Sequence, residues 1–171
     1  DDGEIGGTIR DVDLQMLLDI RKSNLWPIEE RALGYSEDDL FDVIEFLYLH
    51  VSKPIEGTPH SYGNCGMHWE TFNQTDGRIE FRTKINSALD LYSNRFELSP
   101  NGEVLHKPEA GFEPIFDADL PTKDDMILGR LTAALPRYRR HGATLDDRRQ
   151  AVRDLADVLE YLRPKMEELL T

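Results

Sequence analysis

Residues 95–106 read RFELSPNGEVLH, and this stretch decides the fold class. Polar and apolar side chains alternate along 95–98, the period of a strand with one buried face, and 103–106 is read as its partner run. Between the two runs stand Ser99, Pro100, Asn101 and Gly102. Asn-Gly in that place marks a hairpin, because both residues tolerate a positive φ. A lone hairpin is marginal in water, so these strands must lie against helices or pair elsewhere.

Helical spacing flanks the hairpin on both sides. Upstream, Phe81, Ile85, Ala88, Leu89 and Tyr92 predict a helix over about 80–92. Earlier, Leu14, Leu17, Leu18 and Arg21, widened by Met16 and Ile20, predict an amphipathic helix over 12–22 that stops before Asn24 and Pro27. The next helix opens with Ser36 and, three residues on, the first-turn acid Asp39. Leu40, Val43, Ile44, Leu47 and Val51 form its buried stripe, broadened by Phe41 and Tyr48, and two prolines and a glycine over 52–59 close it. Downstream, 107–121 is proline-rich and irregular, with Phe112, Ile115 and Phe116 expected to pin it to the core. Met126, Ile127, Leu131, Ala134, Leu135 and Tyr138 predict a helix over 124–140, which Pro136 should end or kink near Ala134. The last helix starts at Thr144 and carries Val152, Leu155, Ala156, Leu159 and Leu162 on one face, with a bend expected at Pro164.

The expected fold is therefore α+β and predominantly α, with about five helices and one β-hairpin near residues 95–106. A mixed domain is expected over 1–121 and a helical segment over 122–171. Met166, Leu169 and Leu170 extend an apolar stripe to the final residue, where chains are normally polar and frayed. Leu159, Leu162, Met166, Leu169 and Leu170 are thus the expected interaction surface, meeting a further helix of a longer protein or a second subunit.

Composition bounds the function. At 171 residues, 39% hydrophobic and 31% charged, the chain is of ordinary globular type and large enough for a core without disulfides or a structural metal. The longest apolar stretches are broken by Glu45 and Glu160, so no membrane span is expected, and acidic Asp1, Asp2 and Glu4 do not open a secretory signal. The single Cys65 cannot form an internal disulfide, which points to a reducing compartment, the cytoplasm. A net charge of −13 opposes nucleic acid and anionic membrane overall. Residues 130–153 reverse that sign locally, with 7 arginines against 2 aspartates.

Three groups of residues could carry chemistry. His60, Cys65 and His68 offer three zinc ligands within nine residues, but the spacing is not that of a standard zinc site; the alternative is a glycine-rich loop anchored by Trp69 and Phe72. A Cys65 nucleophile would need His60 or His68 to hold its thiolate, and sequence proximity alone supports that weakly. The acid pairs Asp38-Asp39, Asp124-Asp125 and Asp146-Asp147 all fall at helix starts, where they offset the helix dipole. Arg137, Arg139, Arg140, Arg148, Arg149 and Arg153, interleaved with Tyr138 and His141, form a basic edge suited to RNA phosphates or to salt bridges. Neither nucleotide-binding glycine fingerprint is present, no cofactor is expected beyond possible zinc, and no complete catalytic motif is found.

Two stretches resemble known proteins. Residues 35–81, with HSYGNCGMHWETFNQTDGRIEF, and 139–164, with RRHGATLDDRRQAVRDLADVLEYLRP, are similar to bacterial abortive-infection-type proteins in which such a domain precedes a HEPN-like helical region. The resemblance implies a role in phage defence or stress response, with any ribonuclease activity in the helical region. HEPN ribonucleases pair an arginine and a histidine across a wider gap than the three residues between Arg137 and His141. No catalytic residue is therefore carried over. The sequence points to a non-catalytic interaction or sensor domain acting through a protein partner or self-association, with an RNA-binding or RNA-cleaving module as the alternative.

Overall fold

The computed structural model describes residues 11–60, 66–93, 95–112, 116 and 122–170, excluding the side chains at 60, 169 and 170. The fold is α+β and predominantly α. Its elements are α1 (Val12–Ile20), α2 (Ile28–Arg31), a 3₁₀ turn (Ala32–Gly34), α3 (Glu37–His50), β1 (Lys53–His60), β2 (Gly66–Asn73), α4 (Gln74–Tyr92), β3 (Phe96–Leu98), β4 (Val104–His106), α5 (Asp125–Arg139) and α6 (Leu145–Leu170). They cluster into two compact units. One holds residues up to Ser93 with Leu98–Val104, the other Asn94–Glu97 with Leu105 onwards.

In the first unit α3 is the central element. Ser36 accepts from the Asp39 N–H at 3.1 Å and the Asp39 carboxylate accepts from the Ser36 N–H at 3.0 Å, so each end of the expected cap satisfies the other. Phe41, Val43, Ile44, Phe46 and Tyr48 are all buried, so α3 is covered on most sides. Met16, Leu25, Val43 and Phe46 form one core cluster, with Trp26 and Tyr35 packed against it. On α1 the buried residue is Met16, and Leu14, Leu17 and Leu18 are exposed, opposite to the expected stripe. Arg78 of α4 donates to the Tyr48 and Leu49 carbonyls and so satisfies the last turn of α3.

The hairpin lies where the sequence places it, and the first unit holds its tip. Asn86 of α4 binds Leu98 twice, accepting from its N–H at 2.6 Å and donating to its carbonyl at 3.1 Å, and so substitutes for a missing neighbour strand. Buried Glu45 accepts from the Val104 N–H at 2.8 Å, and Tyr48 donates to the Pro100 carbonyl at 2.6 Å. Gly102 sits at φ +87 against the Tyr48 ring, where a Cβ would come within 2.3 Å of a ring carbon. Both constraints demand glycine.

Three expectations need correction. Residues 53–60 of the helix-closing segment and 66–70 of the expected glycine-rich loop belong instead to the antiparallel ribbon β1–β2, paired from Lys53↔Asn73 to His60↔Gly66; residues 61–65 lie outside the described residues. Its described residues are almost all exposed, so no buried face imposes an alternating pattern on the sequence. α4 begins at Gln74, six residues early, because Asn73 caps it by accepting from the Asp76 N–H. Gly77 within it lets the helix touch the backbone of Ser52 and Lys53, where a Cβ would meet atoms at 2.6–2.7 Å. Finally, α5 runs through Pro136 to Arg139. Proline there forfeits one bond in the last turn, and its own carbonyl still accepts from Arg140 at 2.8 Å.

The Asp39 cap predicts acid sensitivity. Lys22, 2.6 Å away, and Ser36 hold the Asp39 carboxyl at about 2, well below its usual 3.8. A depressed folded-state value stabilises the fold above about pH 4, and the contribution disappears as pH falls through 2. Asp39→Ala should cost about 1–2 kcal/mol at pH 7. The gap to the wild type should narrow towards pH 2 in parallel denaturant titrations, and a pH-independent gap would contradict this reading.

Candidate functional site

The second unit is built on α5 and α6, which run antiparallel. Asp124 caps α5 by accepting from the Met126 and Ile127 N–H groups, and Thr144 and Asp147 cap α6 reciprocally at 2.9 and 3.1 Å. One acid of each pair at a helix start, Asp39, Asp124 or Asp147, thus accepts from backbone N–H groups. Between the helices, buried Ile127 and Ala134 meet buried Ala151 and Val158. Ion pairs Arg130–Asp157 and Arg137–Asp154 flank the seam, and Tyr161 donates to Asp124 at 3.0 Å.

The six arginines of the expected basic edge take different roles. Arg137 ties α5 to α6, and Arg149 pairs with Asp146 at 3.2 Å on its own helix. Arg139 donates to the Glu97 carboxylate and to the His106 carbonyl, and its guanidinium lies 5.1 Å from the Phe116 ring centre. Arg140 and Arg153 are exposed. Arg148 stacks on Tyr138 at 5.9 Å, and its Nε is buried with no hydrogen-bond partner.

Arg148 and Arg139 belong to one cavity of about 640 Å³. Its floor comes from the end of β4, where Pro108 prevents further pairing and the chain turns through Gly111 at φ +94. Phe112 follows that turn and is 53% exposed. Arg95 and Lys107 add two more cations to the lining, against the single acid Glu109. Among the described residues the balance is +3 at the wall, or +2 once Glu97 on Arg139 is included, in a chain of net −13. Phe112 and Phe116 were expected as core anchors, but both are exposed at this cavity; Ile115 lies outside the described residues. Arg95, His106 and Lys107 were not anticipated, although a basic doublet at 106–107 shortly before an exposed aromatic is a readable signal.

The residues expected to form an interaction surface lie on α6. Leu159 and Met166 are exposed and Leu162 is half-buried, while the side chains of Leu169 and Leu170 lie outside the described residues. Leu145 and Val152 join them: Leu145, Val152, Leu159 and Met166 stand seven residues apart and are 54–65% exposed. Of the expected zinc ligands, His68 is exposed on β2, and Cys65 and the His60 side chain lie outside the described residues. Nearby Glu70 accepts from the Thr58 hydroxyl at 2.6 Å. Among the described residues no helix is long and apolar enough to cross a membrane.

No family model, curated protein or solved structure matches the chain.

The buried Arg148 Nε gives a stability prediction. An unsatisfied buried donor costs about 1–3 kcal/mol, and more when charged. Arg148→Met keeps the stem and removes that donor. Its thermal midpoint should equal or exceed that of the wild type, whereas a drop of several degrees would mean that the guanidinium is satisfied in the free protein.

Proposed function

We propose that the chain is a non-catalytic interaction domain and that α6 docks against a second copy of itself. One observation supports this most directly: α6 bears two apolar stripes and α5 covers only one. Ala151 and Val158 are buried under α5, and the next residue in each case, Val152 and Leu159, is exposed. One residue is about 100° around a helix. A helix with two apolar faces that far apart suits a four-helix bundle, in which each helix contacts two neighbours.

The borders of the exposed stripe favour an antiparallel second copy. Asp146, Arg149 and Arg153 border it in the first half of α6, and Glu160, Arg163 and Glu167 in the second, a sum of +1 against −1. A two-fold axis near residues 155–156 sets Leu145 against Met166, Val152 against Leu159, and the more basic half of one helix beside the more acidic half of the other. Such an isologous contact closes on itself. An apolar cleft of about 450 Å³ lined by Leu131 and Leu162 leaves further surface open at one end of the α5–α6 pair. The biological setting we infer, a bacterial phage-defence or stress-response protein, rests on the resemblance of residues 35–81 and 139–164 alone.

Light scattering of the full chain tests the docking. The wild type should weigh twice the monomer at tens of micromolar, with a thermal midpoint that rises with concentration. Val152→Asp with Leu159→Asp should give a folded monomer whose midpoint does not. A wild type that stays monomeric up to about 1 mM, a limit near −4 kcal/mol of association, would overturn the proposal.

A further inference from the structure

We infer that the cavity around Arg148 is a binding site for a nucleotide, meaning an aromatic base that carries a phosphate. The inference is independent of the docking reading, since it concerns other residues. The volume of about 640 Å³ falls within the range of small-molecule pockets.

The wall chemistry selects the ligand class. Arg95, Lys107, Arg139 and Arg148 concentrate positive charge in a strongly acidic chain, so the occupant is an anion. Two guanidiniums lie over aromatic rings within cation–π reach, Arg139 at 5.1 Å from the Phe116 ring centre and Arg148 at 5.9 Å from that of Tyr138. Arg139 is engaged by Glu97 and the His106 carbonyl. Arg148 lines the same cavity and pairs with no carboxylate among the described residues, which leaves its guanidinium to meet an oxyanion.

A simple anion leaves the aromatic part of the wall unexplained. Phe112 is 53% exposed at the cavity, and an exposed ring beside guanidiniums is a platform on which a base can stack. Phosphate on Arg148 with Lys107 or Arg95, and a base on Phe112, uses both halves of the wall. A free nucleotide and the phosphorylated end of an RNA share this chemistry.

Titration calorimetry on the full chain at low salt, with AMP, adenosine, inorganic phosphate and a 5′-phosphorylated oligoribonucleotide as probes, tests the site. AMP should bind at least ~10-fold more tightly than either adenosine or phosphate. Phe112→Ala should reduce AMP to the level of phosphate and leave phosphate unchanged. Arg148→Ala should weaken AMP and phosphate alike by ~10-fold or more, and Arg148→Met, with its melting curve, guards against unfolding. An oligoribonucleotide that binds more tightly than AMP identifies an RNA end as the source, and equal or weaker binding identifies the free nucleotide. Equal affinity for AMP and phosphate, indifference to Arg148→Ala and Arg148→Met, or no binding of any probe at millimolar concentration would overturn the inference.

Discussion

The apolar arc of α6 is wider than one neighbouring helix can cover. Ala151 and Val158 are sealed against α5, with Leu155 and Leu162 half-buried beside them. Leu145, Val152, Leu159 and Met166 are left in solvent on the adjacent face. Singly exposed leucines are ordinary on a protein surface, but four apolar residues repeating every seven form a row along one face of the helix, about 10 Å apart. The ion pairs Arg130–Asp157 and Arg137–Asp154 border the α5 seam and hold the helix in the orientation that presents this row. Each is exposed enough to contribute little stability by itself, so their effect is on register more than on energy.

Charge follows the same division of labour. In a chain this acidic, several cations of the second unit answer a nearby carboxylate, as Arg130, Arg137, Arg139 and Arg149 do. Arg148 differs from these, placed over an aromatic ring with a buried Nε that has no partner. Stability would be served better by an apolar side chain of the same shape. Tension between stability and placement is characteristic of residues kept for binding.

What the sequence revealed depended on how local each signal was. The caps at Ser36, Asp124 and Thr144 were legible because each is a side chain reaching a backbone group within three residues. The 95–106 hairpin was legible because Phe96 and Leu98 are buried on either side of half-buried Glu97, and because Asn101-Gly102 marks the turn. The β1–β2 ribbon lacked that pressure and contains Pro54, Pro59 and Gly57, so it read as a breaker. Phe112 and Phe116 show a different limit: an aromatic in an irregular segment looks the same whether it anchors a core or lines a cavity. The apolar stripe of α6 was visible at Leu159 and Met166, but its extension through Val152 and Leu145 was hidden, because sequence gives the width of an apolar arc and not which neighbour covers each part.

Inter-spin distances test antiparallel docking of α6 most directly. Labels placed singly at 145, 152, 159 and 166, with Cys65 replaced by serine, report the distance between equivalent positions of two copies. With a rise of 1.5 Å per residue and a dyad near 155–156, the axial separation should be about 10 Å at 152 and 159 and about 30 Å at 145 and 166. Four similar short distances would mean a parallel pair, and the absence of any dipolar coupling between copies would mean that the exposed face of α6 does not meet itself.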